Sequence, residues 1–396
     1  MIKHKVLAVV EARVVTGPAK NILRFATANR HRVEIGFVTF VRQADGAKGG
    51  QENNLFVSTA QSLGLSVKTI REAGPLDSSA RAALKHICAQ EAPDIVQTHG
   101  IKSHFFLSLL RERPFRWVAF HHGYTNENFK MRIYNQFDRW SLRRSDLVVT
   151  VCSEFSRRLQ HRGVRKEQIV IVPNSIPENF DRSNTDRECR AQTRANFGIA
   201  ADESLLISVG RLSKEKGHRY LIDAMSHIRS LAPQLRIQLL IAGAGPSESE
   251  LERQIRRLNL SQNVRILGYL PDVKPLFSIA DLFVLPSLSE GCPNVLLESI
   301  ATRVPIVASR VGGVPELVRD AESALLVPPA NAEALAESVG KLLFDRVKAE
   351  QLADTAFETA RRQFAPELYD QNVLNVYAQA TRQARSPMGD AHLCVD

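Results

Sequence analysis

The sequence predicts an α/β protein of two doubly wound parallel-sheet domains facing a cleft. Its 396 residues exceed one ordinary domain of about 100–200 residues and suffice for two. Short apolar runs without polar alternation recur between helix-like stretches, the pattern of strands buried on both faces of a parallel sheet. That rhythm stops after Pro173 and restarts near Ser204, which puts an irregular linker between two separate sheets.

The first domain, residues 1–180, opens on the apolar run Val6 to Val10. Glu11 and Arg13 cut it too short for the core of a signal peptide, so it reads as a first buried strand. Thr16-Gly17-Pro18 is predicted as a turn and Ala19 to Ala28 as a helix, with Ile22, Leu23 and Phe25 on one face. Further strands are predicted at Val33 to Phe40, Ser66 to Ile70, Asp94 to Thr98, Trp117 to Phe120, Leu147 to Val151 and Ile169 to Val172. The linker carries a short helix at Glu188 to Asn196. The second domain, residues 181–365, has strands at Leu205 to Val209, Arg236 to Ala242, Val264 to Gly268, Leu282 to Pro286, Pro305 to Ser309 and Ala324 to Val327. Ser247 with Glu250 reads as a capping box. In such sheets ligands bind beyond the C-terminal strand ends, so chemistry is sought in the turns that follow strands.

Composition is that of a soluble globular protein, with 44% hydrophobic and 24% charged residues, which excludes collagenous, low-complexity and multi-span membrane classes. The net charge of +10 is uneven. Residues 1–185 hold 28 Lys and Arg against 16 Asp and Glu, and the remainder 24 against 26. The excess lies wholly in the first half, which is predicted to meet an anionic partner. The five cysteines are scattered without a C-x-x-C pair, so neither a disulfide framework nor a zinc site is expected, and a cytoplasmic location fits.

Gly210-Arg211-Leu212-Ser213-Lys214-Glu215-Lys216-Gly217 follows a predicted strand and precedes a helix. Two cations beside free helix amides suit a phosphate or diphosphate; a solvated charged loop is the alternative. Ser289-Glu290-Gly291-Cys292-Pro293-Asn294-Val295-Leu296-Leu297-Glu298 follows another strand. Pro293 suits the first turn of a helix, leaving amides near Asn294 and Val295 open to an anion, Glu298 inside the helix for a ribose diol, and Glu290 in the loop near a sugar. A surface carboxylate is the alternative for either Glu alone, and the pair at this spacing favours the site.

That last run, followed by Pro305-Ile306-Val307-Ala308-Ser309 and Val311-Gly312-Gly313-Val314-Pro315-Glu316-Leu317, resembles the E-x7-E signature of retaining GT-B glycosyltransferases of family 4. Gly210-Arg211-Leu212 with Lys216-Gly217, Ala242-Gly243-Ala244-Gly245-Pro246 and Val172-Pro173-Asn174-Ser175-Ile176 resemble its preceding segments, with Ser175 where that family usually has Gly. The resemblance implies the GT-B fold, two Rossmann-like domains, with a C-terminal helix at residues 366–385 crossing back to the first domain. It implies a nucleotide-diphosphate-sugar donor of UDP or GDP type. Arg211 and Lys216 would hold the diphosphate, Glu298 the ribose, the segment Gly268-Tyr269-Leu270 the base, and Glu290 with the loop at Gly291 and Cys292 the transferred sugar. His122, followed by Gly123, matches the family's His-Gly near the reacting carbon; His99, also followed by Gly, is a second candidate. Gly17 occupies the family's glycine-rich turn, as backbone close to a ligand or as an ordinary tight turn.

Adjacent strand residues point to opposite faces, so His121 and His122 are not expected to share a metal. No D-x-D triplet occurs, so no metal cofactor is expected and the diphosphate's charge would be met by Arg211, Lys216 and helix ends. Arg111 to Trp117 and Arg139 to Arg144 mix cations with aromatics, either as a peripheral contact with the inner face of a membrane or as solvated helix faces. The expected function is transfer of a sugar to a hydroxyl acceptor in cell-envelope polysaccharide or lipid glycoconjugate synthesis. The alternative is a catalytically idle protein of the same fold that binds nucleotide sugar as a sensor or partner subunit. Nucleic acid is not expected as a partner, since no recognised module is present.

Overall fold

The apolar runs form parallel strands arranged as two separate sheets. The computed structural model describes residues 3–42, 54–74, 77–123, 129–178, 187–231 and 233–382. They divide into a first unit of Met1–Val151, Ser156–Val172 and Asp370–Asp396 and a second of Cys152–Phe155 and Pro173–Tyr369. The first unit thus ends at Val172 rather than at 180, a position outside the described residues, and the chain rejoins it from Asp370, inside the last helix, rather than from 366.

In the first unit β1 (His4–Val10), α1 (Gly17–Ala28), β2 (Val33–Arg42), α2 (Leu55–Ser62), β3 (Val67–Glu72), α3 (Ser78–Glu91), β4 (Ile95–His99), α4 (Ile101–Ser108), β5 (Arg116–His121), α5 (Phe129–Leu142), β6 (Leu147–Thr150), α6 (Ser153–Gln160, from Ser156 on in this unit) and β7 (Ile169–Ile171) follow one another. Among the described residues the sheet order is β3-β2-β1-β4-β5-β6-β7, with every pairing parallel. Strand β1 shows why its run does not alternate. Leu7 and Val9 enter one core with Val38, Leu84 and Trp117, while Ala8 and Val10 enter the other with Ile22, Leu23, Phe37 and Phe56. Both faces are covered, so a polar residue on either would be buried. Trp117 is fully buried and its indole Nε1–H donates to Thr98 Oγ1 at 2.8 Å, so the large ring leaves no polar atom orphaned. The Thr16-Gly17-Pro18 segment is not a free turn. Gly17 and Pro18 form the first turn of α1, where a proline's fixed φ and missing N–H cost nothing.

In the second unit α7 (Arg187–Asn196), β8 (Ser204–Val209), α8 (His218–Leu231), β9 (Ile237–Ala242), α9 (Glu248–Arg257), β10 (Val264–Gly268), α10 (Lys274–Ile279), β11 (Leu282–Leu285), α11 (Asn294–Ala301), β12 (Ile306–Ser309), α12 (Val314–Leu317), β13 (Leu325–Val327), α13 (Ala332–Phe344) and α14 (Arg346–Gln363) lead to α15 (Pro366–Arg382). The sheet order is β10-β9-β8-β11-β12-β13. Its core joins Leu206, Ile241 and Val284 to Leu221, Met225 and Val339. Linker helix α7 is tied down by charge: Asp281 accepts from Arg190 at 3.0 Å and Arg194 at 3.3 Å, and from the backbone N–H of Leu205 at 2.8 Å. The capping box expected at Ser247 does not form; Ser247 has a helical backbone and its side chain caps nothing.

Helix α15 starts in the second unit and ends in the first. Tyr377, Val373, Val376 and Ala380 are buried, and Tyr377 meets Phe25 edge-on at 6.0 Å between centroids. Asp370 accepts from Asn29 at 2.8 Å and from Arg24 at 3.3 Å.

Candidate functional site

In the second unit the chain runs outward from β8 through β9 and β10, then returns to place β11 on the other side of β8. Between β8 and β11 the direction of winding reverses, and crevices at such points, beyond the strands' C-terminal ends, are where α/β sheets bind ligands. The two motifs that the sequence singles out are the loops leaving these two strands. They meet there: Lys216 Nζ lies 2.7 Å from Glu290 Oε1.

Glu290 is 6% exposed. Its Oε1 also accepts from Ser287 Oγ at 2.6 Å. Cation and hydroxyl together hold one carboxylate oxygen in place, and among the described residues Oε2 takes no hydrogen bond from the protein. Lys216 therefore faces a carboxylate here, where the sequence reading gave it to a diphosphate alone.

Backbone packs directly on backbone around this pair, which is what the glycines are for. A Cβ on Gly217 would lie 2.0 Å from the Pro286 carbonyl oxygen, and φ there is +67°. At Gly312, with φ +54°, it would lie 1.7 Å from the carbonyl oxygen of Glu290. The loops leaving β8, β11 and β12 are thereby pressed together, and only glycine permits both the approach and the left-handed turn.

Pro293 is the N-cap of α11 rather than part of its first turn. Asn294 and Val295 are the first helical residues, and amides of a first turn have no intrahelical acceptor. Glu298 is buried one turn on. The Cys292 side chain is turned to Asn174. Its buried Sγ is 3.3 Å from the Asn174 N–H, its carbonyl accepts from Asn174 Nδ2 at 2.7 Å, and burial pushes the thiol up to about 12. The side chain anchors the loop, leaving backbone alone to meet a ligand. Arg211 is exposed, and Leu270 is half-buried just past β10, where the Gly243 N–H donates to the Gly268 carbonyl at 2.8 Å.

Sequence reasoning missed Ser287 and His218, and it placed Asn174 in a family-like segment without finding its partner. A serine before a loop carries no signal until its partner is known. His218 opens α8 and is 3% exposed; burial, then Lys216, pushes its pKa down to about 4. Among the described residues Ser213 Oγ, His218 Nδ1, Asn294 Oδ1 and Ser309 Oγ are buried with no protein partner. Polar atoms left so at strand ends are ones a polar ligand can satisfy.

In the first unit His122 follows β5 and is half-buried. Its Nε2 is 2.9 Å from His99 Nδ1. His99 Nε2 is 2.6 Å from Gln97 Nε2, and Tyr377 donates to Gln97 Oε1. His121 turns the other way, 3.7 Å from Asp138, which is 2.5 Å from His104. His122 and His99 are thus brought together, whereas Gly17 is the first residue of α1. Of the two basic segments, Arg111 to Trp117 presents no aromatic surface, since Phe115 and Trp117 are core. Trp140 and Phe137 on α5 are 40% and 39% exposed, with the Arg144 guanidinium 3.9 Å from the centre of the Trp140 ring.

The family model described as glycosyl transferases group 1 matches residues 190–359, and that described as glycosyl transferase 4-like domain matches residues 16–175. The putative teichuronic acid biosynthesis glycosyltransferase TuaC of Bacillus subtilis is 33% identical over 196 residues, 49% of this chain and 46% of that protein. The lipopolysaccharide core biosynthesis glycosyltransferase LpsE of Rhizobium meliloti is 27% identical over 304 residues, 74% of this chain and 78% of its own. The chain spans about half the length of the first curated relatives it matches. Among solved structures, Anabaena Alr3699/HepE in complex with UDP-glucose aligns with a TM-score of 0.80 at 21% identity, over 95% of this chain and 100% of that one. Both halves match the same kind of protein, in the order that the two sheets appear, and the chain belongs to the GT-B glycosyltransferases of family 4.

Proposed function

We propose that the protein is an enzyme that moves a sugar from a nucleotide-diphosphate sugar, of UDP or GDP type, to a hydroxyl acceptor in cell-envelope polysaccharide or lipid glycoconjugate synthesis. The observation that carries the reading is the Lys216–Glu290 pair at the point where the second sheet reverses. The names of relatives in teichuronic acid and lipopolysaccharide core synthesis support the pathway class, and the UDP-glucose complex of a protein of this fold supports the donor class.

In this reading Lys216 and Arg211 take the diphosphate together with the first amides of α11 at Asn294 and Val295, Glu298 takes the ribose diol, and Leu270 lies against the base. Glu290, with the backbone at Gly291 and Cys292, takes the donor sugar, and His122 is the first unit's hydrogen-bond donor to a ligand. The bond from C1 to the diphosphate breaks, the acceptor oxygen bonds C1 from the same face, and its proton passes to the leaving phosphate oxygen. Configuration is retained without a protein nucleophile, and the work of the residues is to stabilise charge on the departing diphosphate. Transfer is expected to continue in EDTA.

A thermal-shift series with UDP, GDP and their sugars tests the reading. Ligand at a hundred times its Kd adds about 2.7 kcal/mol, which reads as a rise of several degrees in Tm. Glu298→Ala is expected to abolish the rise, and absence of a rise with every nucleotide diphosphate would overturn the reading.

The acceptor side extends it. Trp140 under Arg144 offers an anionic leaflet an amphipathic ring and a cation, and each Lys or Arg near such a surface contributes about 1 kcal/mol. Co-sedimentation with phosphatidylglycerol vesicles is expected, weakened by Trp140→Glu; equal pelleting with neutral vesicles would remove this part.

A further inference from the structure

His99 and His122 form one hydrogen-bonded pair in the first unit, and what lies behind the pair determines which nitrogen of each ring carries the hydrogen. We propose that Tyr377 and Gln97 fix the tautomer of both histidines, so that His122 is held with its hydrogen on Nδ1 and faces a ligand as a donor. The proposal deepens the role given to His122 above and rests on that reading only for its consequence in transfer.

The relay starts on α15. The Tyr377 hydroxyl donates to Gln97 Oε1, and in this orientation the amide turns its NH2 to His99 Nε2 at 2.6 Å. An amide NH2 has hydrogens and no lone pair to offer. His99 Nε2 is therefore the acceptor, and the hydrogen of this neutral ring sits on Nδ1. Nδ1 lies 2.9 Å from His122 Nε2, which accepts in turn, and the hydrogen of the second ring is left on Nδ1. The two rings are 14° from parallel, and Phe120 lies along the outer face of His99, 4.8 Å between centroids at 22°, which restricts rotation of that ring.

Such a chain needs both rings neutral. Burial, then His122 and His104, hold His99 well below the ordinary histidine range, and burial, then His121 and His104, push His122 down to about 3. The other ionisable groups here are Asp138, paired with His104 at 2.5 Å and 3.7 Å from His121, and Glu11, which accepts from the Ser103 N–H at 2.7 Å. Asp138 turns its oxygens to His104 and His121, so the nearest carboxylate supports those rings rather than the relay. Gln97, Tyr377 and His99 are positioning residues in this scheme: they act on a ligand only through His122.

The test is read on the full chain without any substrate. In 15N-histidine-labelled protein at pH 7, long-range 1H–15N correlation spectra are expected to show His99 and His122 as neutral, Nδ1-protonated rings, opposite to the Nε2-protonated form that free neutral histidine favours. Gln97→Glu replaces the NH2 with an oxygen that can only accept, so His99 is expected to move its hydrogen to Nε2, His122 to follow, and the pair's titration to rise by at least one pH unit. Nε2-protonated rings in the unaltered protein overturn the proposal, and so do unchanged ring nitrogens in Gln97→Glu. Neither result depends on transfer, so failure of the transferase reading leaves the spectra decisive. In a transfer assay Gln97→Glu is expected to lower kcat at least tenfold, with Tyr377→Phe intermediate; an unchanged kcat together with flipped rings overturns the consequence for the reaction.

Discussion

Gly312→Ala is expected to lower the melting temperature and to eliminate transfer together, while Gly268→Ala lowers the melting temperature less and leaves transfer measurable. Both glycines have positive φ, +54° and +71°, and an L side chain there costs roughly 1–2 kcal/mol. They differ in what a Cβ would meet. At Gly268 nothing lies within 4 Å, whereas at Gly312 the carbonyl oxygen of Glu290 lies 1.7 Å away. That overlap cannot be absorbed by rotating a side chain, since backbone is the obstacle. Displacing it adds roughly 1–3 kcal/mol and moves Glu290 away from Lys216 and Ser287. At about 2–4 °C per kcal/mol in a unit of this size, melting curves separate the two variants. Equal losses would show that the loops tolerate separation.

Lys216→Met is expected to weaken binding of nucleotide diphosphate roughly ten- to a hundredfold, the equivalent of one charge-assisted hydrogen bond at about 1.5–3 kcal/mol. It also removes the cation from a buried carboxylate, leaving Ser287, among the described residues, as the remaining donor to Glu290 Oε1. Adding Glu290→Gln neutralises that carboxylate. The double variant is expected to recover melting temperature relative to Lys216→Met but not affinity for the diphosphate. Calorimetry of both variants checks this, and recovery of affinity in the double variant would mean that Lys216 serves Glu290 and not the ligand.

The second sheet was legible because its strands are unbroken apolar runs and its loops carry glycine where backbones touch. Val264 to Gly268 is a strand at the positions expected, and others differ by a residue or two at their ends. The Lys216–Glu290 meeting was not legible, because strand order decides which loops are neighbours, and order is a long-range property. The partner of Cys292 was hidden for a related reason: Asn174, which holds its side chain, lies 118 residues away. Ser247 failed as a cap since the pattern of a capping box does not ensure the backbone angles it needs. Gln97 gave no signal at all, as a glutamine in a buried strand gains meaning only from Tyr377, 280 residues later.

That last separation bears on how the chain assembles. The ties from Asp370 to Asn29 and from Tyr377 to Gln97 close loops of 341 and 280 residues, which makes them late events in any folding route that proceeds by local contacts first. On the ribosome the first sheet can form long before its closing helix exists. Until α15 arrives, Phe25 lacks the aromatic neighbour it has in the finished unit, and the growing chain carries an apolar face open to wrong partners. Correct synthesis of the second unit is then a kinetic condition for completing the first, and slow translation through residues 173–369 prolongs the interval in which a half-finished first unit can aggregate.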